Sequence, residues 1–271
     1  MPGRVITFTS GKGGVGKTTV TANLAAALAQ SGAKVTAIDT DIGLRNLDIA
    51  LGMENRIQYD LVDVIEGRCH LRQALIPDRR FANLHLLAAS QTHDKDTISP
   101  QDMVAVCAEL KKSNDFVLID CPAGIEMGFR NAVAGADEVV VVTTPEVTAV
   151  RAADRVIGLL ESMGRGPGRL IINRIKPAVV KRGDMLEPFE LIEFLAIDLL
   201  GVIPEDEAVL AATNAGLPLS LEAKTMAGLA FRNVASRLQG HSIPFLPLFE
   251  VEDSWVARLR RKLRIAPRGQ V

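Results

Sequence analysis

The feature that most constrains this chain is a glycine-rich loop directly after a short apolar run. Residues 8–20 read FTSGKGGVGKTTV, and the segment from Gly11 to Thr18 fits the pattern G-x-x-x-x-G-K-[ST]. Because glycines lack a Cβ, successive backbone N–H groups can turn around phosphate oxygens, and a helix that starts there adds its positive dipole end. A chain with this loop between a strand and an alanine-rich helix is expected to bind a nucleotide.

Each side chain of the loop has a predicted task. Lys17 is expected to reach the β- and γ-phosphates, and the Thr18 hydroxyl is expected to bind Mg²⁺. A chance match in a glycine-rich turn is the alternative, and the strand before the loop and the helix after it disfavour that alternative. The predicted nucleotide-binding loop comprises Gly11, Lys12, Gly13, Gly14, Val15, Gly16, Lys17, Thr18 and Thr19.

Beyond the loop, short apolar runs alternate with helical patterns. The runs are almost continuously apolar, which indicates strands covered on both faces. Aromatic residues make up 4% of the chain, so the core is expected to consist of small aliphatic side chains. The sequence predicts an α/β fold with a doubly wound, mostly parallel sheet between two helical layers. Strands are predicted at 4–9, 34–39, 84–89, 116–120, 138–144, 169–175 and 199–204, and helices at 17–31, 101–112, 147–163 and 224–239.

The composition limits the class of protein. The three cysteines, Cys69, Cys107 and Cys121, form no C-x-x-C pair, which argues against a disulfide framework or zinc site and is consistent with a reducing cytosol. The first residues do not read as a secretory signal, and no run approaches the ~18 apolar residues of a spanning helix. Residues 1–240 are predicted to form one nucleotide-binding domain, 241–253 a linker and 254–271 a tail.

Acidic residues follow two of the predicted strands. Asp39 ends the second predicted strand, Asp41 follows it, and Asp120 ends the run FVLID. Ligands of open α/β sheets collect at the carboxyl ends of strands, so these positions are candidates for the site. Asp120 matches the Walker B pattern and is predicted to hold Mg²⁺ through a water. A helix cap or a plain acidic turn remains the alternative for Asp39 and Asp41.

The string KGGVGKT, with a second lysine inside the loop, resembles the deviant phosphate loop of the MinD/ParA ATPases. That resemblance implies ATP as the nucleotide and a catalytic role for Lys12, which would reach the phosphates bound by the other subunit of a dimer. The string DTDIGLRNLD (39–48) resembles the first switch of the MinD branch. By this resemblance Asp41 orients the attacking water and Asp39 lies close to the metal shell.

Further strings carry weaker resemblances. Pro122, Ala123 and Gly124 resemble the second switch, although MinD proteins often have serine where this chain has Cys121. The interpretation preferred for Cys121 is a small buried residue. Asn173 in INRIKP and Pro204 and Glu205 in VIPEDE correspond to residues that contact adenine in the family, while a simple turn residue is an equal alternative for Asn173.

The tail combines an apolar stripe with basic residues. On a helical wheel Trp255, Val256, Leu259 and Leu263 fall within about 100° of one another. Six basic residues and no acid follow Trp255, which leaves −7 for the rest of a chain whose net charge is −1. This pattern favours an interfacial helix on an anionic membrane over a terminal helix packed on the body. The predicted membrane residues are Trp255, Val256, Arg258, Leu259, Arg260, Arg261, Lys262 and Leu263.

The resemblance also implies a cellular role. It predicts a cytoplasmic ATPase that forms a homodimer with ATP, binds the inner face of the cell membrane and places the division septum with the inhibitor MinC and with MinE or another topological factor. No specific nucleic acid is expected. A ParA-like DNA-segregation ATPase is the alternative, although a body at −7 disfavours a DNA-facing surface. A carrier like nitrogenase iron protein would need bridging cysteines, which this chain lacks in that family's pattern.

Overall fold

One sheet organises the part of the chain that the structure describes. The computed structural model describes residues 3–94, 97–222 and 224–248. The strands are β1 (Arg4–Thr9), β2 (Val35–Asp39), β3 (Ile76–Pro77), β4 (Leu84–Leu87), β5 (Phe116–Asp120), β6 (Glu138–Thr143), β7 (Arg169–Ile175) and β8 (Asp198–Pro204). Their order across the sheet is β3-β4-β2-β5-β1-β6-β7-β8.

The predicted parallel sheet is confirmed. Every pairing from β4 to β8 in that order is parallel, and the seven predicted strands are present with ends that shift by at most two residues. An additional strand, β3, was not predicted; it has two residues and runs antiparallel to β4. Two residues, one of them proline, are too short to give a period-2 pattern.

Helices connect the strands. They are α1 (Lys17–Gln30), α2 (Leu47–Leu51), α3 (Leu61–Ile65), α4 (Leu71–Ala74), α5 (Pro100–Leu110), α6 (Met127–Ala134), α7 (Val147–Ser162), α8 (Pro177–Lys181), α9 (Pro188–Leu195), α10 (Glu207–Asn214) and α11 (Met226–Leu238). The four predicted helices correspond to α1, α5, α7 and α11.

Local chemistry explains where these helices begin and end. Ser99 caps α5 in a reciprocal box with Asp102, and Thr225 caps α11 by accepting the Gly228 N–H. Gly32 and Gly240, predicted as stop signals, have φ of 96° and 90° just after α1 and α11. A glycine in the left-handed backbone conformation thus ends each of these two helices.

The sheet separates two apolar layers. In β5, Val117 and Ile119 join one buried cluster, while Phe116 and Leu118 join the other. The first cluster holds the inner faces of α5, α6 and α7, and the second holds those of α1 and α11. Side chains of successive strand residues point to opposite faces, so a strand buried on both sides must be apolar at every position. This is the reason for the continuous apolar runs.

The described part of the predicted linker packs on the domain. Phe245 and Leu248 contact one apolar layer, and Leu246 contacts the other. Arg237 of α11 holds the segment, because its guanidinium donates to the carbonyls of Ile243, Pro244 and, on β8, Leu200. Residues 241–248 are therefore fixed beside the edge strand β8.

The predicted membrane tail, 254–271, and the remaining linker residues 249–253 lie outside the described residues. None of the described helices has both the length and the apolar composition of a membrane-spanning segment. The domain boundaries and the tail helix stay predictions.

Candidate functional site

Three adjacent strands bring the predicted site together. β2, β5 and β1 are neighbours, and their carboxyl ends carry Asp39, Asp120 and the glycine-rich loop. Asp39 lies opposite Asp120 in the pairing of β2 with β5, and Asp120 lies opposite Phe8 of β1. Since parallel strands end on the same side, residues far apart in sequence converge here.

The loop has the backbone geometry of an anion cradle. Gly14 and Gly16 have φ of 78° and 94°, in the left-handed region that glycine adopts freely. A Cβ at Gly11 would overlap the Ala152 carbonyl of α7, and one at Gly16 would overlap the Asn173 amide. Gly16 also places no side chain over the first N–H groups of α1, which leaves the helix dipole facing the loop. The residues present therefore fit a bound phosphate.

Asp120 is a fully buried carboxyl group. Burial first, and then the negative charge of the nearby Asp39, raise its pKa to about 7, although the Lys17 ammonium and a hydrogen bond from Thr18 act in the opposite direction. The Thr21 hydroxyl lies 3.4 Å from Asp120 Oδ1. Lys17 is itself 8% exposed, so a buried cation and a buried carboxyl group share the floor of the site.

Asp39 holds the loop that follows β2, the segment predicted to be the first switch. Its Oδ1 accepts the Asp41 N–H at 2.9 Å, and its Oδ2 accepts those of Asn46 and Leu47 at 3.0 Å each. Burial raises its pKa to about 6 despite these three donors. The carboxylate thus ties residues 41–47 to the end of β2, a role that no sequence pattern indicated because its partners are backbone groups.

The donor set suits Mg²⁺. Thr18 and Asp120 supply a hydroxyl and a carboxyl oxygen beside the loop. Asp39 and Asp120 are neighbouring buried carboxyl groups with raised pKa values, and a divalent cation would stabilise their ionised forms. Among the residues that the structure describes, no cluster of three or more His, Cys, Asp or Glu side chains could hold a metal ion. Mg²⁺ commonly binds through one or two carboxylates plus substrate phosphates.

This pair predicts a pH dependence of stability in the nucleotide-free protein. Both folded pKa values are raised above the unfolded value of 3.8, so the native state binds more protons and the free energy of unfolding falls as pH rises from about 4 to 7. We expect Asp120→Asn to flatten this fall, measured by urea unfolding at several pH values without nucleotide or Mg²⁺. An unchanged slope would contradict the raised pKa of the buried Asp120 carboxyl group. Asp198→Asn is the control, because Asp198 is exposed at the far end of β8; this variant should keep the fall of the unfolding free energy with pH.

Asp41 lies in the predicted first switch, next to Pro122 of the predicted second switch. It is half-buried and, with Thr40, lines a small cavity that Pro122 and Asn131 close from the other side. Its carbonyl accepts the N–H groups of Leu44 and Arg45, which closes a tight turn. Asp41 therefore borders a cavity shared by the loop after β2 and the segment after β5.

Cys121 follows Asp120 and is 1% exposed. Its Sγ lies 3.2 Å from the Pro122 carbonyl, and burial raises the pKa of the thiol to about 12. A thiol in this environment is not a nucleophile at neutral pH. This agrees with its interpretation as a small buried residue.

Lys12 takes a different direction from Lys17. It is exposed, and its Nζ lies 3.1 Å from Thr148 Oγ1, at the first turn of α7. Thr148 was not predicted as a site residue, since nothing in the sequence places residue 148 near residue 12.

The predicted base-binding residues lie beside the loop. Asn173 is buried, and its Nδ2 donates to the Val15 carbonyl at 2.8 Å, so it supports the phosphate loop directly. Pro204 is buried at the end of β8. Glu205 pairs with Lys176 at 3.1 Å, a partner that the sequence analysis did not include. Contact of these residues with adenine stays a prediction.

Comparisons with known proteins agree with this geometry. A family model described as an AAA domain matches residues 3–165. The septum site-determining protein MinD of Bacillus subtilis (strain 168) is 51% identical over 260 residues, 95% of this chain and 97% of the relative. In the MinC:MinD cell division protein complex of Aquifex aeolicus, the matching chain is 48% identical with a TM-score of 0.83, over 89% of this chain and 97% of that chain. MinD from Pyrococcus horikoshii complexed with Mg-ADP is 32% identical with a TM-score of 0.77, over 87% of this chain and 95% of that chain.

Proposed function

Because the chain belongs to the septum site-determining MinD proteins of the MinD/ParA family, we propose that it is an ATP-hydrolysing switch that places the division septum. With ATP and Mg²⁺ bound, two copies pair face to face, and the pair binds the inner face of the cell membrane. Hydrolysis separates the copies and releases them to the cytoplasm.

The observation that carries this proposal is the direction of Lys12. Lys17 is buried beside Asp120, whereas the Lys12 ammonium group is exposed and lies against Thr148 on the rim of the site. A cation held outward at a phosphate loop is suited to contact the phosphates of a second copy, as an arginine finger does in trans. One loop then contributes to two sites.

Exposed apolar side chains support a partner on the same side of the sheet. They lie in the predicted first switch, directly after the predicted second switch, and at the starts of α6 and α7, all of which follow the carboxyl ends of strands. Apolar groups gathered around a site are typical of an interface. Their exposures are 61% for Leu44, 43% for Ile125, 52% for Met127 and 55% for Val147.

In the proposed reaction, the loop N–H groups and Lys17 stabilise the charge on the phosphates, and Lys12 of the second copy adds to it. Thr18 and Asp120 would hold Mg²⁺, which would neutralise negative charge on the phosphates. Asp41 orients the attacking water by accepting its hydrogen bond. An acceptor at the correct place suffices for this task, and a strong base is not needed.

Membrane binding would depend on pairing. Each Lys or Arg near an anionic surface contributes about 1 kcal/mol to the free energy of membrane binding. A short helix that forms only on binding loses conformational entropy, and this cost offsets much of that contribution. One tail therefore binds weakly. Two tails on one dimer make the second insertion intramolecular, at an effective concentration near the mM range.

The partners proposed here follow the relatives. A MinC:MinD complex is known for the Aquifex aeolicus protein, so the division inhibitor MinC is the proposed partner of the ATP-bound dimer. MinE or another topological factor is proposed to stimulate hydrolysis.

Trp255 offers a direct test, because it is the only tryptophan in the sequence. We expect its emission to shift to the blue when vesicles containing an anionic phospholipid are added with ATP, and to shift much less with ADP. Vesicles of neutral lipid and duplex DNA serve as controls and should give no shift. If ATP and anionic vesicles left the emission unchanged, membrane binding would be excluded, and a shift with DNA would favour the DNA-segregation alternative.

A further inference from the structure

Arg174 adopts a backbone conformation that L-residues seldom occupy. Within the described ranges, three residues other than glycine have φ in the left-handed region: Arg45 at 47°, Arg174 at 57° and Ala196 at 49°. In this region the Cβ crowds the following carbonyl oxygen, so the conformation destabilises the folded chain. Such strain persists where the surrounding structure imposes it, and it is frequent at ligand sites.

An irregularity in the sheet produces this conformation. The register between β7 and β8 shifts between Ile172 and Ile175, and the two residues between them, Asn173 and Arg174, have no paired partner on β8. A bulge of this kind redirects side chains at the end of a strand. Here Asn173 turns inward to the Val15 carbonyl. Arg174 Nε lies 4.0 Å from the position that a Cβ on Gly16 would take, so its side chain extends along the phosphate loop.

The guanidinium group of Arg174 is not used by the protein itself. Arg174 is exposed, and no hydrogen bond or ion pair joins its side chain to any residue in the described parts of the chain. Glu205, the acid that follows β8, pairs with Lys176 instead. The guanidinium group of Arg174 therefore has five N–H donors available beside the predicted phosphate-binding loop. Its planar geometry allows two parallel hydrogen bonds to phosphate oxygens.

Its neighbours indicate which phosphate it can reach. Lys17 is buried on the side of Asp120, where the β- and γ-phosphates are expected. Asn173, adjacent in sequence, is the residue predicted to contact the base. Arg174 lies between these two regions, at Gly16, where the loop passes into α1. The α-phosphate is the charged group that joins the nucleoside to the β- and γ-phosphates.

We propose that Arg174 binds the α-phosphate of the nucleotide held in the loop of its own subunit. This inference rests on the proposed nucleotide binding and adds a residue that the sequence motifs did not include. A contact to the α-phosphate is present with ATP and with ADP alike. Arg174 therefore supports the binding of both nucleotides, whereas Lys12 distinguishes between them.

The test is Arg174→Gly, with dissociation constants measured by calorimetry for ADP and for a non-hydrolysable ATP analogue at protein concentrations that keep the chain monomeric. We expect both nucleotides to bind about tenfold more weakly, by the same factor, because one charge-assisted contact is lost. Without nucleotide, the midpoint of thermal unfolding should rise by about 2 °C, since glycine removes the strain. Weaker binding together with a more stable fold is not expected from a merely structural arginine.

Ala196→Gly is the matched control. Ala196 ends α9 with the same left-handed backbone and lies in none of the predicted binding segments. This variant should also unfold at a slightly higher temperature, and it should bind both nucleotides with unchanged affinity. Arg174→Lys keeps the positive charge but lacks the planar guanidinium group, so its affinity for both nucleotides should fall less than that of Arg174→Gly.

Other outcomes would overturn the proposal in distinguishable ways. Unchanged affinity in Arg174→Gly would remove Arg174 from the site. A loss confined to the ATP analogue would place the contact at the γ-phosphate, and an equal loss for adenosine, measured by competition, would place it on the nucleoside. If the unsubstituted protein bound neither ADP nor the ATP analogue, the proposed function itself would fail.

Discussion

Lys12→Ala is expected to abolish ATP-dependent dimerisation and to lower kcat for ATP hydrolysis by about 10³-fold, the low end of the range for a cation supplied in trans. The Kd of the monomer for ADP should stay nearly unchanged, because the Lys12 ammonium lies against Thr148 on the rim of the site. Analytical ultracentrifugation with a non-hydrolysable ATP analogue would measure the first effect, and phosphate release would measure the second.

Two variants make this result specific. Lys34→Ala removes an exposed lysine that precedes β2, at the opposite end of the sheet, and should dimerise normally. Thr148→Val removes the neighbour of Lys12 within its own subunit but keeps the charge, so it should retain most of the activity. A Lys12→Ala protein that still formed dimers of normal strength would refute the role in trans.

Asp41→Asn is expected to lower kcat by about 10²-fold, because an uncharged amide oxygen accepts a hydrogen bond from the attacking water more weakly than a carboxylate and the amide can turn its NH₂ group toward the water instead. The amide keeps the size of the side chain and leaves the backbone N–H that donates to Asp39, so the first switch loop should fold normally. Dimerisation with ATP should persist, because Lys12 is unaffected. Single-turnover phosphate release, together with sedimentation of the same sample, separates chemistry from assembly.

Asp198→Asn provides the comparison for this substitution, since it changes an exposed carboxylate at the amino end of β8. It should hydrolyse ATP at the normal rate. If Asp41→Asn also released phosphate at that rate, Asp41 would not orient the water. If it failed to dimerise, Asp41 would contribute to the interface instead.

Much of the architecture could be predicted because strands and helices leave periodic patterns. The run FVLID gave β5 with its bounds, Phe116–Asp120, and the glycine loop followed by alanine-rich sequence gave α1. The two-residue β3 and the short helices α2 and α4 left no such signal. A few residues cannot establish a period, and tertiary packing decides their conformation.

The functional residues divide in a similar way. Lys17, Thr18 and Asp120 could be predicted as site residues from local motifs, because phosphate and Mg²⁺ require these residue types at fixed spacings. The three N–H groups that bind Asp39, the contact of Asn173 with Val15 and the left-handed backbone of Arg174 leave no trace in the sequence pattern. Each of them depends on which loops the sheet order brings together.

The amino-acid sequence by itself determined the fold class, the phosphate loop and the acidic strand ends of this protein, since each depends on interactions among neighbouring residues. Only the tertiary structure decided that Lys12 turns outward to Thr148, that Lys17 is buried beside Asp120 and that Arg174 lies along the loop. The physical reason is that side-chain direction follows from packing between strands distant in sequence, and hydrophobic burial specifies that packing over the whole sheet.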